Sequence, residues 1–302
     1  MGKMRVAVLS THDWANSGWK ISQALESVGV ESKCFTQKVC HFYPNRKLMV
    51  KELEVYLRCC TAILFKGDEG VINPFYGVNV LELDKPLFCA FGGSSFLRGN
   101  GAIISKHEDI RQVKGLIALR PDLRFKDMFY LPHPVDMDLW KPVPKKDGRT
   151  LIVGHYISNK GQMNLKGTAI IKKAIEANSK YMTMDFCMNM PYEEIQMRKK
   201  KCDIYIESIG FRYYGNNGAE SMALGIPTIA EIPGFVFDMN PGLNVTGILN
   251  CNAKNLATKL MKLTDLPSRL EWKKRSYEYA LNTHSYKAVG NRLKKYILER
   301  IG

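Results

Sequence analysis

The feature that most restricts the fold is a strand–helix alternation that runs through the first half of the chain, stops, and starts again. Residues 5–10, 31–35, 60–65, 87–91, 116–119 and 128–131 read as short apolar strands, with helical spacing of apolar residues over 19–27 and 48–58. Residues 132–150 hold four prolines and no periodicity, which marks a linker or crossing segment. The pattern resumes with strands at 151–154, 182–187, 203–207 and 227–230. Helices are expected at 165–177, 192–200, from 219, and over 253–263, 268–282 and 286–301. Alternation of this kind implies parallel sheets covered by helices on both faces. The expected fold class is α/β, with two Rossmann-like, doubly wound domains facing each other across a cleft. The first domain is expected over 1–140 and the second over 141–285, followed by a last helix over 286–302. Ligands of such sheets bind at the carboxyl ends of the strands. The chemistry is therefore expected in the loops after Leu9, Phe65, Phe91, Gly154 and Glu207.

Composition narrows the function classes. Apolar residues make up 45% of the 302, which excludes disorder or a fibrous repeat for the bulk of the chain. No apolar run approaches the ~18 residues that cross a bilayer. The opening strand pattern is too short for a signal-peptide core. The eight cysteines show no Cys-x-x-Cys pair and no zinc spacing, so reduced thiols in a cytoplasmic protein are expected. The net charge is +15. Residues 1–140 carry 18 basic and 15 acidic side chains, a net of +3, whereas 141–302 carry 26 and 14, a net of +12. The clusters at 198–201, 273–275 and 294–295 are either solvated helix faces or an attraction for a polyanion.

Two segments carry chemistry. The first is Tyr213-Tyr214-Gly215-Asn216-Asn217-Gly218-Ala219-Glu220, a glycine-rich loop that follows a strand and opens a helix near Asn217. Free backbone N–H groups and the helix dipole suit a diphosphate there, and Glu220, one turn in, can accept hydrogen bonds from ribose hydroxyls. The alternative is a plain loop with Asn216 or Asn217 as the helix cap. Tyr213 and Tyr214, with Phe211, either stack on a base or pack under the loop. The second segment is Gly154-His155-Tyr156-Ile157-Ser158-Asn159-Lys160-Gly161. Lys160 in a polar loop can neutralise charge on a leaving diphosphate. Its alternative is a surface lysine, and that of His155 a structural histidine.

These two segments, in this order, resemble the second domain of retaining glycosyltransferases of the GT-B fold, the group that includes sucrose synthases, glycogen synthases and bacterial mannosyltransferases. Gly154–Gly161 is similar to the family's Gly-Arg-x-x-x-x-Lys-Gly, and Glu220-Ser221-Met222-Ala223-Leu224-Gly225-Ile226-Pro227 to its Glu-Ala-Met-Ala-x-Gly-x-Pro. Leu131-Pro132-His133-Pro134-Val135-Asp136 resembles the hinge strand, and 282–299 the closing helix that crosses back to the first domain. The resemblance implies a nucleotide-sugar donor such as UDP-glucose, with no cofactor and no metal. Glu220 would bind ribose, Gly154 and Lys160 would line the diphosphate, and Gly215, Asn216, Asn217 and Gly218 would supply backbone donors. Gly18 would approach the donor from the first domain. Ser94, Ser95 and Arg98 resemble an acceptor loop seen in some members, with Tyr213 and Tyr214 added to the acceptor side. The chain departs from the family at His155 (an arginine there), Arg212 (a glutamate) and Gly92 (a catalytic histidine).

The mechanism implied is front-face transfer with retention, the charge on the leaving group being held by Lys160, His155 and Arg212. Inversion would need a base, for which Asp68 is the candidate beside Glu69. For the acceptor, the charge favours DNA bearing a hydroxymethylated base, bound through the basic second half. The alternatives are a lipid-linked or saccharide acceptor, with peripheral contact to a membrane surface, and an inactive nucleotide-sugar-binding module or GT-B epimerase.

Overall fold

Strands buried on both faces read as near-continuous apolar runs, and residues 6–9, 62–65, 87–91 and 204–206 form such runs. The computed structural model describes residues 3–43, 52–66, 74–92, 111–123, 128–144, 150–210 and 213–302. They form two compact units, Met1–Pro134 with Ser285–Gly302, and Val135–His284.

Unit 1 comprises β1 (Arg5–Asp13), α1 (Ser17–Glu26), β2 (Glu31–Val39), α2 (Leu53–Cys59), β3 (Ala62–Lys66), β4 (Leu87–Phe91), β5 (Val113–Ala118) and β6 (Phe129–Tyr130). The sheet order is β2-β1-β3-β4-β5-β6, all parallel. Successive residues of β1 serve opposite cores: Val6 and Val8 pack with Ile21 and Leu25 of α1, while Ala7 and Leu9 pack with Phe35 and Phe65. Unit 2 comprises β7 (Leu151–Ile157), α3 (Gln162–Leu165), α4 (Thr168–Glu176), β8 (Met182–Met188), α5 (Tyr192–Lys199), β9 (Ile204–Ser208), α6 (Asn216–Ala223), β10 (Thr228–Ala230), α7 (Gly234–Met239), β11 (Ile248–Asn250), α8 (Leu256–Lys262) and α9 (Leu266–Thr283). Its order is β11-β10-β9-β7-β8, again all parallel. Both sheets start at an inner strand, add the second strand on one side and the third on the other. Each therefore has one switch point, between β1 and β3 and between β7 and β9, where a crevice opens at the carboxyl ends.

The last helix, α10 (Tyr286–Ile301), belongs to unit 1. Val289, Leu293 and Ile297 have no exposed surface and join the α1 side of the core. Burial of such side chains contributes about 1.5–3 kcal/mol each. Ser285 caps the helix by accepting from the Ala288 amide at 3.2 Å.

Two sequence expectations need correction. The first domain does not reach Trp140: Val135 and Trp140 are buried in unit 2 with Tyr156, Tyr205 and Met222, and the Val135 amide donates to the His284 carbonyl at 2.7 Å. Nor does the basic excess of the second half belong to unit 2. Residues 285–302 return five basic and one acidic side chain to unit 1, which totals 23 basic and 14 acidic residues (+9), against 21 and 15 (+6) in unit 2. None of the eight cysteines, all of them among the described residues, is in a disulfide. Among the described residues no helix is long and apolar enough to cross a membrane.

Candidate functional site

At the switch point of unit 1, β1 runs on past the expected strand to Asp13. Its carboxylate turns back over α1 and accepts from the amides of Gly18 (2.7 Å) and Trp19 (3.1 Å). Lys66, at the end of β3, donates to the same carboxylate at 3.3 Å, and both side chains are buried. Burial pushes the Lys66 ammonium down, opposed by Asp13. This helix end is thus filled by an internal anion with its own counter-charge. A methyl on Gly18 would stand 3.1 Å from Asp13 Oδ1, so the glycine serves the cap. That corrects the expectation that Gly18 approaches a diphosphate.

At the switch point of unit 2 the parts are similar and the outcome differs. β9 ends with Glu207 and Ser208, and α6 opens at Asn216 with Gly215 as its N-cap residue in extended backbone. Among the described residues no side-chain hydrogen bond to its first-turn amides is seen; its first backbone bond runs from the Ala219 amide to the Gly215 carbonyl at 3.1 Å. First-turn amides lacking a side-chain acceptor, at the positive end of the dipole, form an anion site. Glu207 is buried beside it and pairs with the buried ammonium of Lys166. A methyl on Gly215 would lie 3.5 Å from Glu207 Oε1, and one on Gly218 3.5 Å from Oε2 and 3.1 Å from Tyr214 Cβ. Glu207 Oε2 is buried with no hydrogen-bond partner among the described residues.

Lys166 and Glu207 escaped the sequence reading as site residues. The available signal was a second Lys-Gly pair, Lys166-Gly167, within the same segment as Lys160-Gly161. Helical spacing absorbed it into an expected helix from 165. In the structure Gly167, at φ +68°, breaks that helix and α4 begins only at Thr168, which turns Lys166 inward to Glu207. Lys160 is exposed in the turn before α3, and no side-chain hydrogen bond or ion pair among the described residues joins it to the glycine loop.

Glu220 points inward. Its Oε2 accepts from Lys199 Nζ at 2.9 Å and its Oε1 from the Tyr192 hydroxyl at 3.1 Å. Lys199 also donates to Asn217 Oδ1 at 2.8 Å and lies 4.8 Å from the Trp140 ring centroid. With Lys199 and Glu220 both buried, the carboxylate is the counter-charge of the ammonium beneath α6.

His155 also requires correction. β7 continues through Ile157, three residues beyond the expected strand end, which seals the ring inside the unit. Its Nδ1 meets the Ile206 carbonyl at 2.9 Å and its Nε2 the Thr168 hydroxyl at 3.0 Å. Burial pushes its pKa down to about 4, so it is neutral at physiological pH and holds no charge for a leaving group. Gly154 is a packing glycine: a methyl there would meet Cys202 Sγ at 2.6 Å. Tyr213 and Tyr214 stack on each other at 4.2 Å, and the Tyr214 hydroxyl bonds Tyr279 and His284, each at 2.9 Å. They are packing residues under the loop and present no face to an acceptor. Asp68, Glu69, Ser94, Ser95, Arg98, Phe211 and Arg212 lie outside the described residues. Among the described residues no cluster of three or more His, Cys, Asp or Glu side chains could hold a metal ion.

No family model and no curated protein matches the chain. Solved structures match over nearly its whole length. A glycosyltransferase from Rickettsia africae aligns at 11% identity over 100% of this chain and 99% of its own, with a TM-score of 0.62. Anabaena Alr3699/HepE in complex with UDP-glucose aligns at 12% identity over 98% and 100%, with a TM-score of 0.66. An alpha-glucosyltransferase in complex with UDP and a 13-mer DNA aligns at 11% identity over 99% and 100%, with a TM-score of 0.65. Two doubly wound parallel sheets in this order, matched end to end by such structures, give the chain the GT-B fold.

Proposed function

We propose that the chain is a nucleotide-sugar-dependent glycosyltransferase whose donor diphosphate sits on the N-terminal turn of α6. The observation that carries this reading is the uncapped end of α6 beside the buried Lys166–Glu207 pair, at the switch point of a GT-B sheet. The amides of the first turn take phosphate oxygens, and Lys166, with Lys160 from the exposed turn before α3, offsets their charge. Both oxygens of Glu220 accept hydrogen bonds, whereas Glu207 Oε2 has no partner among the described residues, so Glu207 is the carboxylate proposed for a donor hydroxyl. In the transfer the bond between the anomeric carbon and the diphosphate breaks, and a new one forms to the acceptor oxygen. The acceptor proton passes to the leaving phosphate oxygen, so retention needs no carboxylate base. The support for retention is the resemblance of 220–227 to the retaining family.

For the acceptor we propose the hydroxyl of a hydroxymethylated base in DNA. Two things favour it: the net charge of +15, and the likeness to an alpha-glucosyltransferase solved with DNA. The test is to incubate the protein with a panel of nucleotide sugars and hydroxymethylated DNA, digest the DNA to nucleosides and weigh them. A gain of one sugar mass is expected. Donor hydrolysis without that gain would replace DNA by lipid or saccharide acceptors. Neither gain nor hydrolysis would leave a binding module.

A further inference from the structure

Unit 1 carries an unusual surface next to its closed helix end. Ala15 and Asn16 both adopt left-handed backbone, at φ 54° and 56°, which few non-glycine residues accept singly and fewer in succession. Trp14 stands directly before this pair. Its carbonyl is turned inward, accepting from Lys66 Nζ at 3.1 Å and from the Ser17 hydroxyl at 2.8 Å. Its indole is turned outward and is 57% exposed, whereas Trp140 is buried and Trp19 and Trp272 are half-buried. An indole held in solvent by a strained backbone is not explained by the packing of the unit.

The surroundings indicate what it faces. His12 lies against Trp14, ring centroids 3.8 Å apart. Burial, with Lys66 and Lys38 close by, holds His12 below the ordinary histidine range, which favours the uncharged ring beside Trp14. Lys38 pairs with His12 across β1 and β2 and is exposed. Beyond β2, His41 and Phe42 form a second ring pair with centroids 3.9 Å apart, and the Tyr43 hydroxyl donates to the Ala15 carbonyl at 3.4 Å. Asp13, the carboxylate among the charged neighbours of His12, is committed to α1 and Lys66. Rings interleaved with cations, at the edge of a unit of net charge +9, match a polynucleotide: bases have a planar face to stack and phosphates a charge to neutralise.

We propose that Trp14, backed by His12 and flanked by Lys38 and the His41–Phe42 pair, is a stacking platform for an unpaired nucleobase of a polynucleotide. The choice of a polynucleotide rests on the DNA-acceptor reading above, but the platform requires no sugar transfer and belongs to unit 1, whereas the donor helix α6 belongs to unit 2. The test uses the full-length protein, a fluorescein-labelled oligothymidine and no donor. Trp14→Ala is expected to weaken binding about tenfold, the scale of one stacked base, while UDP binding stays within twofold of wild type. Trp14→Phe is expected to keep most of the affinity and to lose the quenching of intrinsic fluorescence that the oligonucleotide causes in wild type. Because Trp14 is exposed, all three proteins are expected to unfold at the same urea midpoint. Absence of oligonucleotide binding by wild type, or equal binding by Trp14→Ala, would overturn the platform. Trp14-dependent binding without glucose or other sugar reaching hydroxymethylated DNA would instead remove that acceptor and leave the platform standing.

Discussion

In unit 1 the strand β1 continues into Asp13, whose carboxylate takes the first amides of α1. In unit 2 the strand β9 ends at Ser208, and no side chain among the described residues caps α6. Each switch point also has a buried lysine paired with a buried carboxylate, Lys66 with Asp13 and Lys166 with Glu207. The difference is where the carboxylate sits. Asp13 occupies the helix end itself, so a ligand anion would have to displace a covalently attached one that is already neutralised. Glu207 lies beside the helix end and leaves the amides to another acceptor. A strand, a glycine and a helix therefore do not define an anion site; the absence of an internal anion does.

The largest effect that would break this comparison comes from Asp13→Asn. The amide keeps the shape but leaves Lys66 buried without a counter-charge. Removing one partner of such a pair costs about 3–5 kcal/mol. Urea denaturation should show a loss of that size, with UDP affinity of the folded fraction unchanged. A matching loss of UDP affinity would move the donor to unit 1 and reverse the assignment.

A second effect separates the sealed part of unit 2 from its open helix end. His155 titrates near 4 in the folded chain against about 6.5 when unfolded. The folded state resists protonation, so stability is full above pH 6.5 and declines as pH falls to 4, by roughly 3 kcal/mol in all. The unfolding midpoint should fall from pH 6.5 to pH 5 in wild type and stay level over that window in His155→Gln. If UDP affinity followed the same curve with the fold intact, His155 would belong to the site after all.

Much of the fold was legible, because strand–helix alternation and apolar runs are local signals that parallel sheets amplify. The core-facing residues of α10 could be read from spacing alone, as Val289, Leu293 and Ile297 recur at helical intervals. The site was legible only to the level of its loop. Gly215 to Gly218 stood out because glycine and asparagine punctuate the chain. The partners of that loop did not, since Lys166 and Lys199 look like any helical lysine until the sheet brings Glu207 and Glu220 under them. His155 and Gly154 were misassigned for one reason: β7 is three residues longer than its apolar run suggested, so side chains assigned to a loop are inside. Asp13 was overlooked for the same reason, at the end of β1.

A sharper version of the comparison is kinetic. Lys160 is exposed, so Lys160→Ala should leave stability within about 0.5 kcal/mol of wild type. If it steadies the leaving diphosphate, turnover with a nucleotide sugar should drop about 100-fold, the usual result of deleting one such group. Unchanged turnover would assign that charge to Lys166 alone.

The smallest effect is the most direct. Gly215→Ala adds one methyl at the mouth of α6, where it meets Glu207 Oε1 at 3.5 Å, an ordinary contact. The backbone there, at φ −114°, accepts alanine, so the fold should be indifferent. A phosphate seated on the first-turn amides would not be: the methyl would stand between it and the helix end. UDP affinity should fall about tenfold, which corresponds to about 1.4 kcal/mol, by isothermal titration. The companion change in unit 1 cannot be made so cleanly, because a methyl on Gly18 presses on Asp13 Oδ1 at 3.1 Å. That asymmetry is itself the argument: a methyl on Gly18 is pressed against Asp13, whereas one on Gly215 makes only an ordinary contact with Glu207. Unaltered UDP affinity in Gly215→Ala would mean that the open helix end of unit 2 holds no donor phosphate.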